Sequence, residues 1–113
     1  MALHHAEPGE IVDIRPLGAK LKQGINATLV LTDQLQIFRF ILPAGEEFSE
    51  HKVHGEVIVQ CLEGEVEFTS RGKKQMLRPG ELVHLAGDDP HALRGVRDAS
   101  VLVTIASDKK GCA

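Results

Sequence analysis

From residue 27 to residue 106, short apolar runs alternate with turn segments built from glycine, proline and aspartate. The runs 27–32 (ATLVLT) and 35–42 (LQIFRFIL) are rich in β-branched and aromatic residues, which favours strands. In the segment 65–69, Val66 and Phe68 alternate with glutamates, as expected of a strand buried on one face. Many short strands separated by turns at intervals of about eight to twelve residues predict an all-β sandwich or barrel.

Nine strands are predicted from this alternation of apolar runs and turn segments. The predicted segments are 10–14 (a short edge strand), 27–32, 35–42, 57–62, 65–69, 73–77, 81–85, 91–96 and 100–106. Turns are predicted at Glu63-Gly64 and around Asp98, and residues 45–56 are predicted to form a loop. The segment 15–21 is compatible with one helical turn, because Pro16 suits a first helical position.

Length and charge restrict the classes of function. A chain of 113 residues predicts one domain, with a barrel over 10–106 and tails over 1–9 and 107–113. The net charge of -3 gives no basic footprint for nucleic acid, and no apolar run approaches a membrane span. The start lacks the pattern of a secretory signal and two cysteines make no disulfide framework, so a cytoplasmic location is expected.

Histidines cluster where the strands resume after the loop. His51, His54 and Glu56 lie within six residues, and His91 follows a later Pro-Gly turn and strand. Imidazole nitrogens with a carboxylate oxygen are ligands that zinc, iron, nickel and manganese accept. A barrel can bring such ligands from distant strands to one cavity. These four residues are therefore the candidate ligands of a divalent metal ion.

The same residues resemble two motifs of the cupin family. The family's first motif reads G-x5-H-x-H-x3-E-x6-G, and Gly45, His51 and Gly64 fall in register with it. Gly80 and His91 fall in register with the second motif. The resemblance covers about residues 35–105. It implies a small single-domain cupin of bacterial type, with a β-barrel of the double-stranded β-helix or jelly-roll kind.

The chain also departs from the family pattern. The second histidine and the glutamate of the first motif fall on Val53 and Val57, while His54 and Glu56 are each displaced by one residue. Strict alternation predicts Val57 inside and Glu56 outside, unless a bulge at Gly55 re-aims the carboxylate. Three alternatives stay open: a site of three histidines and one glutamate, a site of three histidines, and a cavity without metal lined by His51, His91 and apolar residues.

Three other polar features have simpler interpretations. His84 is predicted to be a hydrogen-bonded core or rim residue, and Arg39 a solvated or dimer-rim residue that could meet a substrate anion only if it faced inward. Cys61, inside an apolar run, is predicted to be a buried thiol. The cluster at residues 71–74 is predicted to be a charged turn and not a phosphate site.

The resemblance implies two functions of different classes. One is a barrel that binds a divalent metal ion and acts on a small organic molecule, with the catalytic residues unassigned. The other is a binding or sensing module for a small, sugar-like molecule without metal. No nucleophile or phosphate-loop motif is present. A third hypothesis, from the residues themselves, is a purely structural dimer, because Ile58 and Leu62 would face outward if Val57 faces inward. A homodimer is expected under each of the three hypotheses.

Overall fold

The structure is a computed structural model that describes residues 4–51 and 55–106, with the backbone alone for residues 49–51. A 3-10 helix, η1, spans Gly18–Gln23. The strands are β1 (Ala27–Leu31), β2 (Leu35–Leu42), β3 (Glu47–His51), β4 (Glu56–Ser70), β5 (Lys73–Leu77), β6 (Leu82–Leu85) and β7 (His91–Ala106). No helix within this described part is long and apolar enough to cross a membrane.

All seven strands join one antiparallel sheet built on the long strands β4 and β7. The strand order is β1-β2-β7-β4-β5, with β3 also paired to β7 and β6 also paired to β4. The first half of β4 pairs with β6 and the second half with β5, so the two halves of each long strand belong to different parts of the sheet. Buried side chains of both parts meet in one core cluster, so the sheet is folded face to face. The predicted all-β barrel is confirmed.

The core follows the alternation of side chains in the regular part of the ladder between β4 and β7. Val57, Val59 and Cys61 of β4 are buried, and so are Val101 and Val103 opposite them on β7. Burial raises the pKa of the Cys61 thiol to about 11, so the thiol stays protonated at neutral pH. The interpretation of Cys61 as a buried thiol is confirmed.

Two predicted breaks are bends inside continuous strands. The ladder between β4 and β7 shifts register between Cys61 and Val66, and β7 passes through Asp98 without ending. Gly64 lies at this bend with φ of +75°, and a Cβ built on it would lie 2.1 Å from the Asp98 carbonyl oxygen. Turn residues therefore bend the paired strands here and do not end them: the pairing of β4 with β7 resumes beyond the register shifts and continues to Ser70 and His91.

Strand β3 is the largest difference from the prediction, since the region 45–56 was predicted to be a loop. Its sequence, EFSEH, has no apolar alternation, and pairing with β7 holds it in the sheet. The edge strand predicted over 10–14 is wrong: this segment is not a strand. The helical turn predicted near 15–21 is a 3-10 helix displaced to Gly18–Gln23.

A partly buried polar cluster attaches the N-terminal segment to the outside of the sheet. The Glu63 carboxylate accepts hydrogen bonds from the backbone N–H of Leu17 (2.8 Å) and Gly18 (2.9 Å) and from the Ser100 hydroxyl (2.5 Å). Burial acts to raise the pKa of Glu63, but these hydrogen bonds and the charge of Arg39 outweigh it and lower the pKa below its usual value. One ionised carboxylate thus fixes the start of η1 against the sheet.

The outer face of the sheet carries exposed apolar side chains. Ile58, which alternates with the buried Val57 and Val59, is 37% exposed, and Leu82 opposite Gln60 on the neighbouring strand is 59% exposed. Leu62 is only half-buried. Apolar residues side by side on a sheet surface suit contact with another protein surface. The homodimer stays a prediction.

Candidate functional site

His91 lies at the start of β7 and faces the interior of the barrel. Its side chain is only 4% exposed. The Nδ1 atom lies 3.3 Å from the Asp89 carbonyl oxygen, which accepts a hydrogen bond when Nδ1 carries the proton. That tautomer leaves Nε2 as the nitrogen with a lone pair, the form in which histidine binds metals or accepts a hydrogen bond.

The interior beside His91 is almost entirely apolar. Its described lining consists of His91, Phe38, Phe40, Phe48, Val57, Val59, Leu93, Val103 and Ile105. Phe40 packs against Phe38 (centroids 4.8 Å apart, nearly perpendicular) and against Phe48 (4.6 Å). The space left among these side chains is about 20 Å³, about enough for one water molecule. The space bounded by these described side chains is too small for an organic ligand.

A much larger pocket of about 520 Å³ adjoins this interior at the β1–β2 side. Phe38 and Phe40 line both spaces, so their rings form the wall between them. Polar groups surround the outer pocket: Asn26, Thr28, Gln36 and His5. The Asn26 Oδ1 atom accepts a hydrogen bond from the Ile41 backbone N–H (2.8 Å), which leaves its NH₂ group as the one that can donate to a ligand.

Of the four predicted metal ligands, the structure places two residues opposite each other. The backbones of His51 and His91 are directly paired in the ladder between β3 and β7. His54 lies outside the described residues. Val57, at the family's glutamate position, is 2% exposed and lines the interior.

Glu56 is not brought together with His91. The ladder between β4 and β7 is regular from Glu56 to Cys61, so the carboxylate points outward, on the face opposite Val57. Its Oε1 atom lies 2.7 Å from His84 Nε2, and both side chains are more than half exposed. Within the described residues, no group of three His, Cys, Asp or Glu side chains could hold a metal ion. The metal-ligand assignment stays a prediction.

Arg39 and His84 also lie away from the interior. His84 is a hydrogen-bonded rim residue, as predicted. Arg39 faces outward but is only 9% exposed, because the N-terminal segment covers it and the Arg15 carbonyl oxygen accepts a hydrogen bond from its Nη2 (3.0 Å). The interpretation of Arg39 as a solvated residue is therefore wrong, and its outward position excludes contact with a ligand inside the barrel.

Comparison with known proteins decides the family. The family model described as "Cupin domain" matches residues 38–106, which is more than half of the chain. The chain is a cupin. No curated protein sequence matches it. The motif glycines and histidines that carry the resemblance all lie within this matched segment: Gly45, His51, Gly64, Gly80 and His91.

Solved cupin structures superpose over nearly the whole chain. A cupin superfamily protein from Desulfitobacterium hafniense has a TM-score of 0.74 at 24% identity, covering 87% of this chain and 95% of its own. An RmlC-like cupin with a double-stranded β-helix fold from Methanocaldococcus jannaschii has a TM-score of 0.76 at 22% identity, covering 93% and 100%. These two likenesses show the fold.

A third structure is closer in sequence. An RmlC-like cupin from Desulfovibrio desulfuricans has a TM-score of 0.67 at 29% identity, covering 94% of this chain and 96% of its own. The strand topology and these likenesses establish a small cupin barrel of the double-stranded β-helix kind. They leave its ligand to be argued from the site.

The outer pocket was missed by the sequence reasoning, because most of its polar residues precede the matched motifs. Asn26, Thr28 and His5 carry no motif at all. One signal was present: Gln36, Phe38 and Phe40 alternate, so they share one face of β2. A polar residue in line with two inward aromatic rings indicates the place where an apolar interior reaches solvent.

Proposed function

We propose that this cupin is a binding module for a small organic molecule, which occupies the outer pocket and rests on the Phe38 and Phe40 rings. The observation that carries this is the shared lining: the same two rings form one wall of the 520 Å³ pocket and one wall of the apolar interior. Pockets of about 300–1,000 Å³ with an apolar wall and a few polar groups are typical of small-molecule sites.

The lining defines the chemistry of the ligand. An apolar or aromatic body would pack on Phe38 and Phe40, since aromatic pairs prefer offset or edge-to-face contact. Gln36 and Thr28 lie at ladder positions on the same inner face as these rings and supply neutral donors and acceptors. No charged carboxylate or guanidinium lines this pocket among the described residues. The proposed ligand is therefore largely neutral.

Titration with naphthamide, a neutral two-ring amide, tests this proposal. We expect saturable changes in amide NMR chemical shifts along β2 and at residues 103–105. Gln36→Ala is expected to weaken binding about three- to tenfold, because one neutral hydrogen bond contributes about 0.5–1.5 kcal/mol. Gln34→Ala, which changes an exposed glutamine outside the pocket, serves as the control and should bind like the unchanged protein. Equal affinities for all three proteins, or shifts confined to other strands, would contradict the proposal.

A metal site is the second candidate, and the pairing of His51 with the buried His91 favours it. His51, His54 and His91 would hold a divalent ion by imidazole nitrogens alone, because Glu56 faces outward and Val57 stands at the inward position. The bound ion would act as a Lewis acid or activate oxygen. The chain's own residues would then supply a dry, apolar surrounding for it.

Metal content distinguishes this candidate from a metal-free module. The candidate predicts a near-stoichiometric amount of zinc, iron, nickel or manganese in protein purified without chelator or nickel resin, measured by mass spectrometry. His91→Ala is expected to lose the ion. His84→Ala, which removes an outward histidine, should keep it. Equal metal content in the two variants, or none after each ion has been added back, would exclude the candidate.

A further inference from the structure

A second groove lies at the other edge of the barrel, between the edge strands β5 and β6. Within residues 4–51 and 55–106 each of these strands pairs with β4 alone, so the groove between them is open. Its volume is about 430 Å³, within the range of small-molecule sites. Its floor is apolar and is formed by Phe68, Val83 and Leu85. Phe68 and Leu85 are core residues, each 4% exposed.

The inner face of β5 turns polar where it borders this groove. Lys73, Gln75 and Leu77 are paired with Ser70, Phe68 and Val66, which places all three on the inner face of the sheet. Leu77 is buried there, whereas Lys73 and Gln75 are exposed. Inner positions of a sheet are normally apolar. Lys73 and Gln75 are polar residues at two such inner positions. Their presence is explained by a polar group that binds at this end of the groove.

The charges around the groove leave one cation without a counter-charge. Arg71 and Asp89 form an ion pair across the rim, with Nη2 and Oδ2 3.1 Å apart. His84 is engaged by Glu56. Lys73 lines the groove, and among the described residues it forms neither an ion pair nor a hydrogen bond with a side chain. A lysine above an apolar floor therefore offers a single positive charge, in a chain whose net charge is -3.

We propose that this groove binds an organic monocarboxylate, with Lys73 paired to the carboxylate and an apolar body packed on Phe68, Val83 and Leu85. One uncompensated cation suits one negative charge, and apolar lining residues suit a ring or a short hydrocarbon chain better than a bare anion. This site is separate from the outer pocket, since no residue lines both. The inference therefore goes beyond the proposed function and does not depend on it.

Paired titrations with naphthoate and naphthamide, followed by amide NMR, test the proposal. Naphthoate is expected to shift residues of β5 and β6 and to bind about fivefold tighter there than naphthamide, the factor expected of a partly exposed ion pair. Lys73→Gln should remove this preference. Lys74→Gln, which changes the neighbouring residue on the opposite face of β5, should keep it. Both lysines are exposed, so neither variant is expected to disturb folding.

Four results would overturn the proposal. The first is equal affinity of naphthoate and naphthamide at β5 and β6, and the second is an equal loss of the naphthoate preference in both lysine variants. The third is naphthoate-induced shifts confined to the outer pocket. The fourth is binding of inorganic phosphate in the groove as tightly as naphthoate. The last would show that the apolar floor contributes nothing. Because shifts at β2 report the outer pocket and shifts at β5 report the groove, failure of either proposal is visible separately.

Discussion

Gly64→Ala is expected to lower the free energy of unfolding by about 4 kcal/mol. A left-handed backbone costs an alanine roughly 1–2 kcal/mol, and overpacking adds up to about 3 kcal/mol. The added Cβ would lie 2.1 Å from the Asp98 carbonyl oxygen and 2.7 Å from the Ala99 Cα, so backbone would have to move. Urea unfolding followed by far-UV circular dichroism is the suitable measurement, because the chain has neither Trp nor Tyr.

Gly72→Ala is the matched control for this experiment. Gly72 has the same φ of +75°, but a Cβ built there meets nothing within 4 Å. Its expected cost is therefore the conformational part alone, about 1–2 kcal/mol. If both variants lost the same stability, the close approach of β4 and β7 at Gly64 would contribute nothing, and the account of the bend given above would be wrong.

Glu63→Ala is expected to cost on the order of 3 kcal/mol. The change removes the acceptor for three hydrogen bonds, from two backbone N–H groups and the fully buried Ser100 hydroxyl. It also leaves the buried Arg39 without this carboxylate's charge. Chemical unfolding measures the loss. Glu65→Ala serves as the control, because its ion pairs with Arg78 and Arg97 are long (3.8 and 3.6 Å), and it should cost about 1 kcal/mol or less.

The pH dependence of the Glu63 effect has a definite sign. The folded-state pKa of Glu63 lies below its ordinary value of 4.5, so the folded state favours the ionised carboxylate. Its contribution is fully present above that ordinary value and is lost as pH falls through the folded pKa. The stability difference between the protein and Glu63→Gln should therefore be constant near neutral pH and shrink in acid. A difference that grew below the ordinary value would contradict this assignment.

The comparison of Glu56 with Val57 shows how far alternation alone can predict a site. Strict period two placed Val57 inside and Glu56 outside, and the structure has both so placed. The bulge at Gly55 that could have reversed this is absent from the described ladder, which is regular from Glu56 to Cys61. The sequence could not choose between a regular strand with Glu56 outside and a bulged strand with Glu56 inside, since a glycine permits a bulge without requiring one.

Arg39 and Lys73 show the opposite case, in which the position along the chain was insufficient to predict the surroundings of the side chain. Arg39 follows the outward alternation of β2, yet it is buried because a segment more than twenty residues earlier lies over it. Lys73 belongs to a turn-flanking charged cluster, yet it lies on the inner face of β5 at an open groove. Both outcomes depend on which distant elements cover a strand, and no local pattern encodes that.

The sequence by itself determined the class of fold and most of its strands, because side-chain alternation and turn chemistry are local properties of a strand. The tertiary structure alone decided that Glu63-Gly64 and Asp98 are bends, that EFSEH is strand β3, and that Phe38 and Phe40 separate two cavities. Those features arise where strands that are far apart in the chain pack or pair with each other. The free energy of such a contact depends on both segments, so neither segment alone predicts it.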